Sequence, residues 1–444
     1  MPESGGIAKR EAAGGAGEEI AALIARLYPI CRSITGPGVR ETLAALAEIH
    51  PIDLIEVPTG TKVFDWTVPR EWSIRDAYIK DGAGRRIVDF KAHNLHVLNY
   101  SVPVEGRFTL AELKPHLYSL PDLPRAIPYR TSYYNENWGF CLPHEQLVSL
   151  ADATYEVKID STLSNGSLTL GEIVLKGEIE DEILVSTHTC HPSLANDNLS
   201  GLATAIHLAR RIGRRRRRHT YRFLFVPGTI GSITWLALNE AKAARIRHGL
   251  VITGVGDGGP FTYKRSRRGN AAIDRIAPHV LAAQGERHAV IDFYPYGYDE
   301  RQYCSPGFDL PVGRISRTPH GEYPEYHTSA DNPDFVSVPA IRRAIEVIEE
   351  ILVAADRNWS PLSRNPKCEP QLGKHGLYRK VAGQTGQQTD ELALLWVMSL
   401  ADGAHSLIDM AERAKLPFER IAQAADALAA HGLLAEGRHA DAVD

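Results

Sequence analysis

Between residues 182 and 210 the chain passes from an unbroken apolar run to a helical period, with a burst of polar side chains between them. Ile183, Leu184 and Val185 form a run of the length and flanks expected for a buried parallel strand. From Gly201 onward Leu202, Ile206 and Ala209 fall on one helical stripe, with Leu208 beside it. The pattern repeats downstream. Tyr221–Val226 reads as a second buried strand, 233–244 as a helix, and HGLVITGV as a third strand ending near Asp257. Strands alternating with helices predict an α/β fold, a mostly parallel sheet with helices on both faces.

Other stretches carry different periods. Residues 19–27 and 39–49 read as amphipathic helices broken at Pro37-Gly38, and 339–354 as the helix that closes the α/β domain. Within 63–154, short segments such as VFDWTV, WSIRDAYIK, RRIVDF and LHVLNYS alternate polar with β-branched or aromatic residues. That pattern predicts an inserted antiparallel β lobe. NWSPLSRNPKCEP reads as a Pro-rich linker, and three helical segments separated by Asp402-Gly403 and Leu416-Pro417 predict a winged helix. The expected organisation is a disordered tail (1–18), an α/β domain (19–62 and 155–360), the β lobe (63–154), and a linker with the winged-helix domain (361–444).

A chain of 444 residues exceeds one compact core, which agrees with that division. A net charge of -4 gives no global attraction to nucleic acid or to an anionic membrane. No apolar run approaches the length of a membrane span. The five cysteines are scattered and form no C-x-x-C pair, so a reducing compartment, the cytoplasm, is expected. Arg214–Arg218 lies where a helix must return to a strand and reads as a solvated loop. Residues 391–444 hold nine acidic against four basic side chains, so the winged helix is expected to serve packing or dimerisation in a homo-oligomer rather than nucleic acid.

The candidate chemistry collects on one edge of the sheet. His188, Cys190, His191 and Asp197 follow the first strand, where α/β folds keep their ligands. Together with the later His327-x-x-x-Asp331 they predict a metal site. Asp257 stands at the end of the third strand, and Asp299, Glu300 and Arg301 form a dense ionisable cluster. In the lobe, residues 129–143 bring Arg130, Tyr133, Tyr134 and Trp138 together, side chains suited to enclosing a small-molecule or peptide substrate. Arg32, Ser33 and Thr35 read as turn and capping residues.

Four segments, SxHTCHPSLANDNLSG, FLFVPGTIGSI, YDERQYCSPGFDLPVG and YHTSADNPDF, occur in the order seen in zinc aminopeptidase-like proteins. The chain resembles that family, whose fold the co-catalytic zinc aminopeptidases and glutaminyl cyclases share. More closely it resembles a bacterial branch with an inserted β lobe and a C-terminal winged helix, often encoded near polysaccharide or natural-product genes. The resemblance implies His188, Asp197 and His327 as zinc ligands. It places Asp257 where a second metal site could be completed, with His191 as a further ligand or proton carrier, and Asp299 beside the metal. It also exposes a departure, because Gly228 and Thr229 stand where the two-zinc enzymes carry a Glu-Glu pair. One zinc is therefore expected rather than two, with Glu300, the neighbour of Asp299, as the replacement base and Arg301 among the substrate-binding residues. The activity implied is hydrolysis of an amide or peptide bond, aminopeptidase-like. Glutaminyl-cyclase-like cyclisation and a catalytically silent metal-binding scaffold are the alternatives.

Overall fold

The computed structural model describes residues 4–377 and 391–437. Eight strands form the main sheet, in the spatial order Asp53–Pro58, Ser167–Leu175, Thr220–Val226, Glu182–His188, Ile246–Ile252, Val312–Ser316, Phe261–Lys264 and His288–Ile291. The four central strands are parallel, and antiparallel strands flank them on both sides. Every residue of Glu182–His188 and Thr220–Val226 is buried, which explains why both read as apolar runs without alternation. The charged members of these strands pair across the sheet: Arg222 lies 2.6 Å from Glu182 and 2.7 Å from Glu172.

The chain runs from Glu182–His188 to one neighbour, Thr220–Val226, and then crosses back to the other, Ile246–Ile252. The strand order thus reverses beside His188. A crevice opens at such a reversal, outside the carboxyl ends of the strands, because the connecting segments leave in opposite directions.

The lobe carries a four-stranded antiparallel sheet, ordered Arg86–Asp89, Glu71–Lys80, Thr154–Ser164, Val104–Thr109. Its long third member lies beyond the 63–154 range read from the sequence. LHVLNYS, expected as a strand, instead forms a short helical turn at Asn94–His96 and a loop. The first helix spans Ser4–Leu27, so the stretch from residue 4 to 18 is helical where a disordered tail was expected. Its alanines and glutamates are good helix formers and extend the turn pattern of 19–27 upstream.

Contacts divide the chain into two compact units, one of residues 1–268 and 289–346, the other of 269–288 and 347–444. In the second, helices Glu391–Leu400, Leu407–Ala414 and Phe418–Ala430 form the winged helix. Ser406 and Asp409 cap the middle helix reciprocally. Pro361–Ser363, read as linker, pairs antiparallel with Leu434–Glu436 and completes the wing. Linker residues 378–390 and the last residues of the tail lie outside the described residues.

Candidate metal centre

His188 is the last residue of its strand and is buried. The turn Ala195–Ser200 that follows is also buried, and it presents Asp197 to the histidine. Asp331 clamps this turn by accepting from the backbone N–H of Asn196 at 2.6 Å and of Asp197 at 2.9 Å. Asn198 donates to Thr187 Oγ1 at 2.7 Å and to the His188 carbonyl at 3.1 Å. Gly201 must lack a side chain, since a Cβ there would collide with Asn198 Oδ1. Arg32, which the sequence suggested was a turn residue, is buried and donates from Nε to the His191 carbonyl at 2.8 Å. His327 arrives on a distant loop, in the left-handed region at φ 55°, with its ring stacked on Tyr326.

Three imidazoles therefore surround one carboxylate. His188 Nε2 lies 2.8 Å from Asp197 Oδ1, while His191 Nδ1 and His327 Nε2 lie 3.1 and 3.0 Å from Oδ2. The side chains of His188, His191 and Asp197 form a group with the spacing of metal ligands. Burial pushes His188 and His327 down, toward the neutral form that binds metal. Burial alone would raise Asp197, but the neighbouring imidazoles, His191 foremost, hold its carboxyl well below the usual range. Asp197 Oδ2 and His327 Nε2 are both buried and lie 3.0 Å apart, paired in distance but poorly aligned for a hydrogen bond. A buried carboxylate ringed by three imidazole nitrogens matches the chemistry of a zinc site.

The remaining sequence candidates separate clearly. Asp257 is taken up by Asn196 Nδ2 at 3.0 Å, Thr318 Oγ1 at 2.8 Å and the Gly259 N–H at 2.7 Å. It braces the turn that holds Asp197 rather than completing a second metal site. Glu300 also moves out of the site. It is fully buried, accepts from Lys264 Nζ at 3.0 Å and from the Tyr298 N–H at 3.0 Å, and does not line the cavity. Its carboxylate is fixed by an ion pair and a backbone N–H away from the cavity, so it does not reach a reacting proton.

Asp299, its neighbour, does face the cavity. Ser232 donates to its Oδ1 at 2.7 Å, and its Oδ2 is buried without a partner. Burial pushes its carboxyl up to about 7, a rise that the Ser232 hydrogen bond limits. A Cβ on Gly228 would lie 3.4 Å from that free oxygen. The space beside Gly228 is thus adjacent to the Asp299 carboxylate.

The cavity measures about 250 Å³. Tyr133, Tyr134 and Arg301 line it, while Arg130 and Trp138 do not. Arg130 is exposed on the lobe surface. Trp138 stacks on His116, with ring centres 3.7 Å apart, and packs against the hydrophobic core of the lobe. The sequence reading missed Trp66, Tyr298 and Tyr326. Tyr298 stacks on His188 and Tyr326 on His327. Each stands one residue from a recognised position, Asp299 or His327, which was the signal available.

The family described as "Domain of unknown function (DUF4910)" matches residues 21–358, and a winged helix-turn-helix family matches 359–436. A Clostridium acetobutylicum protein, provisionally described as a polysaccharide biosynthesis protein with an aminopeptidase-like domain, is 50% identical over 412 residues. The match covers 93% of this chain and 95% of that one. A crystal structure from the same organism, provisionally described as a peptidase, is 47% identical with a TM-score of 0.89, covering 96% of this chain and 98% of that one. The zinc aminopeptidase of Bacillus subtilis shares the fold at 14% identity and a TM-score of 0.55, over 76% of this chain and 94% of its own. The chain therefore belongs to the DUF4910 family, built on the zinc aminopeptidase-like fold and followed by a winged helix.

Proposed function

We propose that this protein is a zinc-dependent hydrolase that cleaves an amide or peptide bond in a small substrate. The observation that carries this reading is the buried Asp197 carboxylate within 3.1 Å of three imidazoles, those of His188, His191 and His327, which themselves line the cavity. His188, Asp197 and His327 would hold one ion, with His191 as a fourth donor. Zinc bound there supplies a Lewis acid for a carbonyl oxygen and lowers the pKa of water. The description of the Clostridium relative adds support for work on a polysaccharide precursor. Among the described residues no helix is long and apolar enough to cross a membrane, and all five cysteines are free, which supports a cytoplasmic setting.

The rest of the chemistry falls to this chain's own residues. Asp299 Oδ2 takes a proton from the attacking water and returns it to the leaving nitrogen. The C–N bond breaks, and the water oxygen joins the carbonyl carbon. Tyr298 and Tyr326, stacked on two of the histidines, fix the imidazole planes and limit the entry of water. Ser232 keeps the Asp299 carboxylate turned toward the space beside Gly228.

The test is metal analysis joined to turnover. His327→Ala removes the donor that closes the set from the far loop, and both zinc content and hydrolysis of amino-acid amides or N-acylated amino acids are expected to be lost. His191→Ala is expected to weaken zinc retention less. Full zinc content and full turnover in His327→Ala would overturn the assignment.

A further inference from the structure

The charges in the cavity say which end of a substrate it can hold. A free α-amino group, the mark of an aminopeptidase substrate, needs a carboxylate to pair with. The carboxylates around this site are already engaged. Glu300 is held by Lys264, Asp257 by Asn196 and Thr318, and Asp331 by the backbone of the Asp197 turn. Asp299 alone among them lines the cavity, and the hydrolase reading assigns it to proton transfer.

The cation in the same wall is bound by no carboxylate ion pair among the described residues, although its charge acts on Asp299 beside it. Arg301 lines the cavity, and its Nε is buried without a hydrogen-bond partner. The mounting is rigid: Arg301 sits on the short helix Glu300–Tyr303, whose Tyr303 is buried with its hydroxyl 2.9 Å from Ser186 Oγ on the central strand. A guanidinium carried on a fixed helix matches the two oxygens of a carboxylate better than it matches a neutral amide. Trp66 and Tyr134, 44% and 49% exposed with ring centres 5.4 Å apart, also line the cavity and offer an apolar surface.

Resting on the hydrolase reading, we propose that the substrate is an N-acylated amino acid whose free carboxylate lies beside the scissile amide and is recognised by Arg301. Its side chain packs against Trp66 and Tyr134. Hydrolysis adds water across the amide, giving the free acid of the acyl group and the free amino acid. The protein then works on an acylated amine with an acidic neighbour, not on a free amino terminus.

Calorimetric binding to the full chain supplied with one equivalent of zinc tests this with three probes: N-acetyl-leucine, N-acetyl-leucinamide and leucinamide. N-acetyl-leucine is expected to bind at least about tenfold tighter than the other two, the scale of a charge-assisted hydrogen bond. Arg301→Gln is expected to abolish that preference, and Arg301→Lys to keep part of it. Equal binding of acid and amide by the wild-type chain, or tighter binding of leucinamide, overturns the proposal without recourse to any variant. Preference for the acid in a chain that retains no zinc and releases no leucine supports the anion site while removing the hydrolase reading, so the two fail separately.

Discussion

Asp299 shows how a single position can compensate for two lost ones. Gly228 and Thr229 supply no acid or base, yet the free oxygen of Asp299 borders the space beside Gly228. Its carboxyl, raised to about 7 by burial, is poised as a base near neutral pH. Asp299→Asn is expected to lower turnover by about 10²–10⁴-fold with zinc content unchanged. The measurement is kcat alongside metal content, and a variant that turns over at the wild-type rate would return the base role to another group. Neighbouring Glu300 illustrates why sequence adjacency misleads. Two consecutive carboxylates at the start of a short helix point in different directions, and only the structure reveals that Lys264 takes one of them.

At the scale of elements, the turn Asn94–His96 links the lobe to the first helix through His93. Its ring accepts from the Leu95 N–H at 3.1 Å and lies 3.3 Å from the Tyr28 hydroxyl. Burial, with the neighbouring His96, pushes His93 down to about 4, so the folded chain holds it neutral. An unfolded histidine titrates near 6.5. The stability this residue contributes is therefore complete above pH 6.5 and is lost as pH falls toward 4, at most about 3 kcal/mol. Urea denaturation at pH 7 and pH 4.5 reads the loss. His93→Asn, which keeps an acceptor without the titration, is expected to shrink the difference between the two pH values.

Elements were also where the sequence was most legible. Buried parallel strands announce themselves as apolar runs, so Glu182–His188 and Thr220–Val226 were readable, as were the three helices of the tail. Residues brought together by long connections were not. His327 and Asp197 lie far apart in sequence, and no local period joins them; the clustering of ligand-type residues suggested a shared metal and the family resemblance named the pair. Asp257 sat plausibly at a strand end, but the hydrogen bonds that engage it come from Asn196 and Thr318, far away in sequence. Trp138 looked like a cleft residue because aromatic composition alone does not say which side of a sheet a ring will take.

At the scale of the whole chain, a winged helix raises the expectation of nucleic-acid binding, and its surface argues against it. Helix Phe418–Ala430 sits where a reader of the major groove would be, and its Glu419 and Asp426 pair with Arg357 at 2.5 and 2.7 Å. A groove-reading helix needs exposed cations to meet phosphates. The full chain is expected to show no retention of duplex DNA at 100 mM salt in a mobility-shift titration, and sequence-independent binding that weakens with salt would contradict this.

The pairing of Pro361–Ser363 with Leu434–Glu436 also sets where this tail can be cut free. A fragment begun at the first of its three helices would leave the two-stranded sheet half-built, its exposed edge open to association with other chains. A cassette meant for transplantation has to begin upstream of Pro361, so what reads as a tether is the first piece of the module it precedes.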